Sequence, residues 1–434
     1  MSGRIPPLRP RTIRASVVLS LPHPVTSPQP LSSPPIEQAL SRLYARVPLG
    51  MRLGLDAMRE ACARAGHPER SFAALHVAGT NGKGSVCAMV ESIARAHGLR
   101  TGLYTSPHLC RFAERIRLDG EPIDDDSLAS LLERALDSGP DLSFFETATL
   151  AAFLAFRDAR VDLAILEVGI GGRLDATNVI PCPRAAAITR IALDHTDRLG
   201  NTLEEIAREK AGIAKPGLDL VVGPVSPVVR AAIDEVARSH GATTTSVEPE
   251  SAGPGPKTQT WETRLAGAHQ VENARVAAAL GARIGASPMA IAKGLATARW
   301  PGRLERIGDF LLDGAHNPDG ADALARHLRS LAVPPERVAL VFGTLGDKDW
   351  AAMLDILAPL AGARFYVGPA ASRPGVDPRA MSSRHTGTVL DSVEEAVARA
   401  RRGPALCVIC GSLVVVGQAR AVLLGLPRDP PVAL

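Results

Sequence analysis

The segment Gly79-Thr80-Asn81-Gly82-Lys83-Gly84-Ser85 holds the residue types that a phosphate group requires. Glycines let a backbone approach an anion closely, N–H groups at a helix start point toward it, and a lysine adds a point charge. The Ser85 hydroxyl could face a bound Mg²⁺. The segment follows an apolar run, Phe72 to Val77, and precedes a helical pattern from Gly84 to Ala96, so it reads as strand, loop and helix. Its spelling departs from G-x-x-x-x-G-K-[ST]: Val77 stands where the first glycine belongs, and Gly84 separates Lys83 from Ser85. A glycine turn that merely caps a helix is the competing reading. A buried strand, three glycines and a lysine together weigh against it.

Other polar residues fall where strands should end. Glu167 closes an apolar run just before Gly169–Gly172, Ser106 follows a second run and His195 a third. Ligands of open α/β sheets collect at the carboxyl ends of strands. Mg²⁺ prefers oxygen ligands and usually keeps waters and substrate phosphates, so by residue type alone His195 reads as a hydrogen-bonded core histidine. Lys210 lies on an amphipathic pattern and reads as a solvated lysine. Phe144 and Phe145 are adjacent in a chain with only 3% aromatics. They could pack in the core or offer a face to a flat ring. The Asp175–Asn178 stretch could simply stabilise its own turn. Arg303, Asp313, Asn317 and Ser412 have equally plain alternatives, a salt bridge for the first and helix capping for the others.

The elements that must position these residues follow from the pattern of the chain. Its 434 residues, 46% of them hydrophobic, can fill two or three cores. Short apolar runs at Phe72–Val77, Thr101–Thr105, Leu163–Val168, Ala185–Ile191 and Leu218–Val222 alternate with helical stretches. This predicts a mostly parallel sheet with helices on both faces. Helices are predicted from Ile36, over Leu53–Ala65, His269–Ile284 and Pro288–Ala298. Trp300-Pro301-Gly302 then reads as a hinge. Beyond it, strands near Phe310–Leu312, Val338–Phe342, Phe365–Val367 and Ala405–Ile409 predict a second, smaller α/β domain. The expected division is a disordered extension over 1–35, a nucleotide-binding domain over 36–298 and a C-terminal domain over 299–434.

Charge and cysteines exclude several classes. The formal net charge is +4, but residues 1–35 carry four arginines and no acid, which leaves 45 basic against 45 acidic groups. A near-neutral body argues against nucleic-acid binding. No apolar run reaches the roughly 20 residues of a membrane span. Six scattered cysteines read as reduced thiols of a cytoplasmic protein, and Cys407-Val-Ile-Cys410, lacking a second pair, reads as strand and not as a metal or redox site. The Pro-, Ser- and Arg-rich start reads as a disordered tail in preference to a transit peptide, because prolines would break an import helix.

The stretch His76-Val-Ala-Gly-Thr-Asn-Gly-Lys-Gly-Ser85 resembles the signature of the folylpolyglutamate synthase and dihydrofolate synthase family, a branch of the Mur ligase superfamily. The resemblance runs collinearly from about Ile36 to Leu424. It includes Thr105-Ser-Pro-His-Leu109, Arg111-Phe-Ala-Glu-Arg115, Phe144-Phe-Glu146, Leu166-Glu-Val-Gly-Ile-Gly-Gly-Arg-Leu-Asp-Ala-Thr-Asn178, Leu193-Asp-His195, Glu209-Lys-Ala-Gly-Ile213, His269-Gln270 with Asn273, Leu312-Asp-Gly-Ala-His-Asn-Pro318, Asp347-Lys-Asp349 and Gly411-Ser412. The fold it implies is a Mur-ligase-like P-loop domain with a mostly parallel sheet plus a smaller Rossmann-like α/β domain. It implies Mg²⁺ at Ser85, Ser106, Glu167 and His195, and a carbamylated Lys210. ATP is expected on Gly79–Ser85, Arg303 and Asp313, with Asn273 and Gln270 toward the adenine or as helix caps. Asp175 and Ala176 belong by resemblance to the dihydropteroate pocket, and Phe145 is the candidate face for its pterin ring. His316, Asn317 and Ser412 belong to the region that receives glutamate and completes catalysis.

The activity implied is ATP-dependent ligation of L-glutamate to dihydropteroate, to tetrahydrofolate, or to both, by a monomeric protein with no nucleic-acid or membrane partner. Lys83 and Arg303 would shield phosphate charge, and domain closure would exclude water. A Mur-type UDP-MurNAc-peptide ligase is the nearest alternative, but it usually has Lys-Thr in the loop and lacks Thr105-Ser-Pro-His-Leu109. A P-loop switch without ligation would not need Glu167, His195 and a second domain. Two departures from the family's wording touch fine specificity: Arg190 replaces a small polar residue, and Thr147-Ala-Thr149 differs after Phe-Phe-Glu146.

Overall fold

Fourteen strands form two sheets in the computed structural model, which describes residues 36–47, 54–247, 261–370, 373–401, 403 and 405–429. The reading of residues 1–35 as a tail therefore lies outside the described residues. The first sheet contains β1 (Ala73–Ala78), β2 (Thr101–Tyr104), β3 (Ile116–Leu118), β4 (Glu121–Pro122), β5 (Leu163–Glu167), β6 (Ala185–Ile188), β7 (Asp219–Val222) and β8 (Thr243–Ser246). Their order is β4-β3-β2-β5-β1-β6-β7-β8, parallel except for the β2–β3 and β3–β4 pairs. The second sheet contains β9 (Glu305–Ile307), β10 (Phe310–Leu312), β11 (Val338–Phe342), β12 (Ala363–Tyr366), β13 (Thr388–Val389) and β14 (Leu406–Cys410). Its order is β13-β12-β11-β14-β10-β9, parallel except for β9 against β10.

The central strands are apolar throughout because helices cover both of their faces. In β5 all five residues are buried, and Leu163 and Ile165 face one core while Ala164 and Leu166 face the other. The same alternation separates Cys407 from Cys410. They lie three residues apart on β14 and enter opposite cores of the second sheet, so they cannot join in one metal or disulfide site. Alanine dominates β6 and the packed helices, which fill the interior with few aromatic rings. Among the described residues no helix is long and apolar enough to cross a membrane.

Register decides which residues meet. Val77 pairs with Glu167, and Ala78 with Ile188, so β1, β5 and β6 end level with one another. Tyr104 pairs with Leu166, which brings Ser106 alongside Glu167. In the second sheet Leu312 pairs with Ile409 and Phe342 with Cys410. That register levels the segments beginning at Asp313, Gly343 and Gly411. The two carboxyl edges face a common cleft of about 470 Å³.

Candidate active site

The glycine-rich loop leaves β1 at Gly79 and enters the Lys83–Ala96 helix at Gly82, whose φ of 91° suits glycine. A side chain at Gly82 would also run into the Asn273 amide. Gly84, the residue that makes the spelling irregular, lies against the Trp300 indole, and a Cβ there would stand 2.8 Å from Nε1. The departure from the usual loop therefore leaves room for the Trp300 indole, which lies between the two sheets along the chain. The loop is braced from β6: Thr80 and Asn81 donate their N–H groups to the Arg190 carbonyl at 2.8 and 3.3 Å, and Thr80 Oγ1 donates to the Ala192 carbonyl at 3.1 Å.

Lys83 folds back and donates to the Gly79 and Thr80 carbonyls, each at 3.1 Å. Thr80, Asn81, Gly82, Lys83, Gly84 and Ser85 all line the cleft, while Gly79 lies behind it. Ser85 Oγ accepts from Gln270 Nε2 at 3.2 Å, and Gln270 Oε1 accepts from Asn273 Nδ2 at 3.0 Å. The capping alternative for these two residues is overturned. Their helix, Ala268–Arg283, begins after Gly267 with no side-chain cap, and both side chains are buried against the loop.

Glu167, Ser106 and His195 gather at the level strand ends and line the cleft with Ser85. The Ser106 N–H donates to Glu167 Oε2 at 3.1 Å. Burial pushes the Glu167 carboxyl up, against the opposing pull of Lys83. His195 is held by burial at about 4, below its ordinary value, so it is neutral near pH 7 and has a lone pair to donate. Among the described residues no group of three or more His, Cys, Asp or Glu side chains could cage a metal. One carboxylate, one neutral imidazole and two serine hydroxyls instead suit a cation that takes its remaining oxygens from phosphate and water.

Lys210 is not solvated as its pattern suggested. It is 4% exposed, near the end of the Leu203–Ala211 helix, and does not line the cleft. Burial, then the charge of Lys83, brings its ammonium down to about 7. The Gly169–Gly172 loop is bound to this helix through the Arg173 N–H to the Glu209 carbonyl at 3.0 Å.

Phe144 and Phe145 take different paths from the first turn of the Phe144–Asp158 helix. A reciprocal cap sets that turn: Ser143 Oγ accepts from the Glu146 N–H, and Glu146 Oε2 from the Ser143 N–H at 2.8 Å. Phe144 borders the cleft but is buried, stacked on Tyr44 and edge-on to Phe112. Phe145 is half-buried on the cleft wall and tilted against Tyr104. Asp175 and Ala176 line the same cleft. Asp175 is buried and does organise its turn, accepting from the Gly169, Ile170 and Thr177 N–H groups at 3.0, 3.1 and 3.0 Å. Burial still leaves its carboxyl above the ordinary value.

From the second domain, Arg303, Asp313, His316 and Ser412 reach the same cleft. Arg303 makes no ion pair among the described residues and lies against Gly314. Asp313 caps no helix; it fastens the Leu304 and Ala315 N–H groups at 2.9 and 3.0 Å. Asn317 and Ser412 do cap, accepting from Gly320 and Val414 N–H groups at 2.9 and 3.1 Å. His316 donates from Nδ1 to the Gly314 carbonyl at 2.8 Å, which leaves Nε2 facing Asp194.

In the sequence Asp194 and Lys348 stand only inside longer motifs, with nothing to mark a role for either. They meet between the two sheets' domains at 2.6 Å, 8% and 9% exposed, and Asn317 Nδ2 adds a bond to Asp194 at 3.1 Å. Burial alone would raise the Asp194 carboxyl. Its bond to His316 and the charges of His316 and Lys348 instead hold it well below the carboxylate range. The available signal was Asp194's place beside His195 in a short polar motif, but its partners lie more than a hundred residues away.

With this geometry in place, residues 77–281 match the Mur ligase middle domain, and residues 302–413 match the Mur ligase glutamate ligase domain. The chain is 36% identical over 398 residues to the folylpolyglutamate synthase of Lacticaseibacillus casei, covering 83% of this chain and 92% of that protein. The solved structure of E. coli FolC in complex with DHPP and ADP is similar with a TM-score of 0.80 at 32% identity, covering 92% of this chain and 99% of that one. A bifunctional folylpolyglutamate synthase/dihydrofolate synthase structure with Mn, AMPPNP and L-glutamate bound gives a TM-score of 0.77 at 32% identity, covering 91% and 100%.

Proposed function

Because the chain belongs to the folylpolyglutamate synthase/dihydrofolate synthase family of Mur ligases and is an ATP-dependent glutamate ligase, we propose that its cleft joins L-glutamate to dihydropteroate and to tetrahydrofolate. The observation that carries this is the convergence of two carboxyl sheet edges. One brings a phosphate loop and an apolar wall, the other a free arginine and a polar helix start. A carboxylate is a poor acyl donor. Its oxygen attacks the γ-phosphorus of ATP, the bond to ADP breaks, and an acyl phosphate forms. The glutamate amine then attacks the carbonyl carbon, and phosphate leaves as the amine loses a proton.

In this reading the loop amides and Lys83 hold the triphosphate, and Arg303 adds charge from the other side when the domains are together. Lys83 exchanges its two loop carbonyls for phosphate oxygens. Asn273 and Asp313 contact the nucleotide. Ser85, Ser106, Glu167 and His195 are the residues that would hold a divalent cation, which when bound neutralises phosphate charge. Phe145, Asp175 and Ala176 take the pterin: the ring stacks on Phe145, and a carboxylate offers acceptors to pterin N–H groups. His316 and Ser412 lie where glutamate arrives. Lys210, with a fraction of neutral amine at pH 7, adds to CO₂ and becomes an anionic carbamate beside the site. Closure of the two domains keeps water from the acyl phosphate.

ADP release measured with each acceptor separately tests this reading. It should require glutamate together with dihydropteroate or tetrahydrofolate. Release that ignores glutamate would reject ligation, and dependence on only one acceptor would reject the dual activity.

A further inference from the structure

Arg190 has no part in the chemistry above, yet it is attached to both halves of the cleft. Its carbonyl receives the Thr80 and Asn81 N–H groups, so its backbone is a floor for the phosphate loop. Its side chain crosses to the second domain. There Nε donates to both oxygens of Asp319, at 2.7 and 2.9 Å. Asp319 lies in the first turn of the Pro318–Ser330 helix, where a negative charge is favourable. The same carboxylate accepts from Asn81 Nδ2 at 2.8 Å. Beside it the Asn81 and Asn317 amides exchange two hydrogen bonds, each of 3.0 Å. Two residues fixed to the phosphate loop are thus matched to two residues of one helix start.

A second carboxylate competes for the same guanidinium. Glu272, on the first domain's own Ala268–Arg283 helix, stands 4.0 Å from Arg190 Nη1. Arg190 is 40% and Asp319 21% exposed, so water can replace this pair at modest cost. That separates it from the buried Asp194–Lys348 pair, which costs far more to open.

We propose that Arg190 and Asp319 form a releasable clasp that registers the second domain on the phosphate loop, with Arg190 a positioning residue for the ligation proposed above. Closure places the guanidinium on Asp319, and opening returns it to Glu272. Asn317 follows His316 directly, so the clasp fixes how far His316 and Arg303 stand from the loop. A misplacement of about 1 Å between reacting groups can cost about 100-fold in rate. Arginine suits the role because its guanidinium carries donors toward both carboxylates, Nε on Asp319 and Nη1 near Glu272, and it does not lose its charge.

The test is a double-mutant cycle of Arg190→Ser and Asp319→Asn in the full chain, with ADP release followed at saturating substrates. Each single variant is expected to lower kcat about tenfold while the KM for ATP changes less than about twofold, and the double to lose no more than the worse single. Arg190→Lys should recover only part of the loss. Melting temperatures within a few degrees of the parent exclude a folding defect. Unchanged kcat in the single variants, or losses that multiply in the double, would overturn the clasp. Small-angle scattering with a non-hydrolysable ATP analogue reads the clasp without chemistry. Asp319→Asn should be less compact than the parent, and equal radii overturn the proposal even if the parent fails as a ligase, a failure that would count against the ligation reading alone.

Discussion

Replacing Lys210 tests the proposed carbamate through its charge. The side chain is 4% exposed, and burial, reinforced by Lys83, lowers its ammonium from 10.5 to about 7. At pH 7 about half of it is neutral, against about one part in 3,000 for an ordinary lysine, so the nucleophilic amine is enriched by roughly three orders of magnitude. Addition to CO₂ forms an N–C bond and releases a proton, which turns a cationic group into an anion. Enzyme prepared in CO₂-depleted buffer should regain activity with bicarbonate, and isotope-labelled bicarbonate should give a carbamate signal by NMR. Lys210→Ala should lose about tenfold or more in kcat and stop responding to bicarbonate. The sign of the stability effect is fixed as well. The folded state sheds its proton near pH 7 and the unfolded state near 10.5, so without CO₂ stability is lowest below about pH 7 and rises toward pH 10. Lys210→Met should therefore raise the melting temperature most near pH 6 and progressively less at higher pH. No carbamate signal with full activity in Lys210→Ala would refute the carbamate, and a pH-independent difference in melting temperature would refute the depressed value.

Three further outcomes are expected. Lys83→Ala should lower turnover at least about 100-fold, near 2.7 kcal/mol of transition-state stabilisation, and near-normal ligation would reject its role. Asp194→Asn leaves the buried Lys348 ammonium without its counter-charge, a cost of about 3 kcal/mol in urea unfolding, and adding Lys348→Met should recover much of it. A double variant no more stable than the single would sink that explanation. Phe145→Ala should raise the KM for dihydropteroate about fivefold without moving that for ATP, whereas Phe144→Ala should cost about 3 kcal/mol of stability; equal behaviour of the two would contradict their separation.

Much of the fold was legible because central parallel strands must be apolar on both faces. Val338–Phe342 and Phe310–Leu312 were read to the residue, and β1, β2 and β5 within one or two. The strands at and beside the sheet edges were not. Ile116–Leu118 with Glu121–Pro122, Thr243–Ser246 and Thr388–Val389 are short or polar, and only pairing to a neighbour makes them strands. The run Ala185–Ile191 stops being strand at Ile188, because Arg190 turns its carbonyl to the phosphate loop.

By itself the sequence determined that a strand, a glycine-rich loop and a helix would follow one another with a lysine at the helix start, and its ordered short motifs carried the resemblance to a glutamate ligase. Those features are local: a glycine's φ, a helix start and an apolar run act within a few residues. Tertiary structure decided what depends on distant neighbours. It buried Lys210, turned Phe144 inward and Phe145 toward the cleft, and kept Gln270 and Asn273 from capping their helix. It also joined Asp194 to Lys348 and Arg190 to Asp319. Burial, charge and pairing between residues more than a hundred positions apart exist only after the sheets are in register, so no spacing along the chain could have shown them.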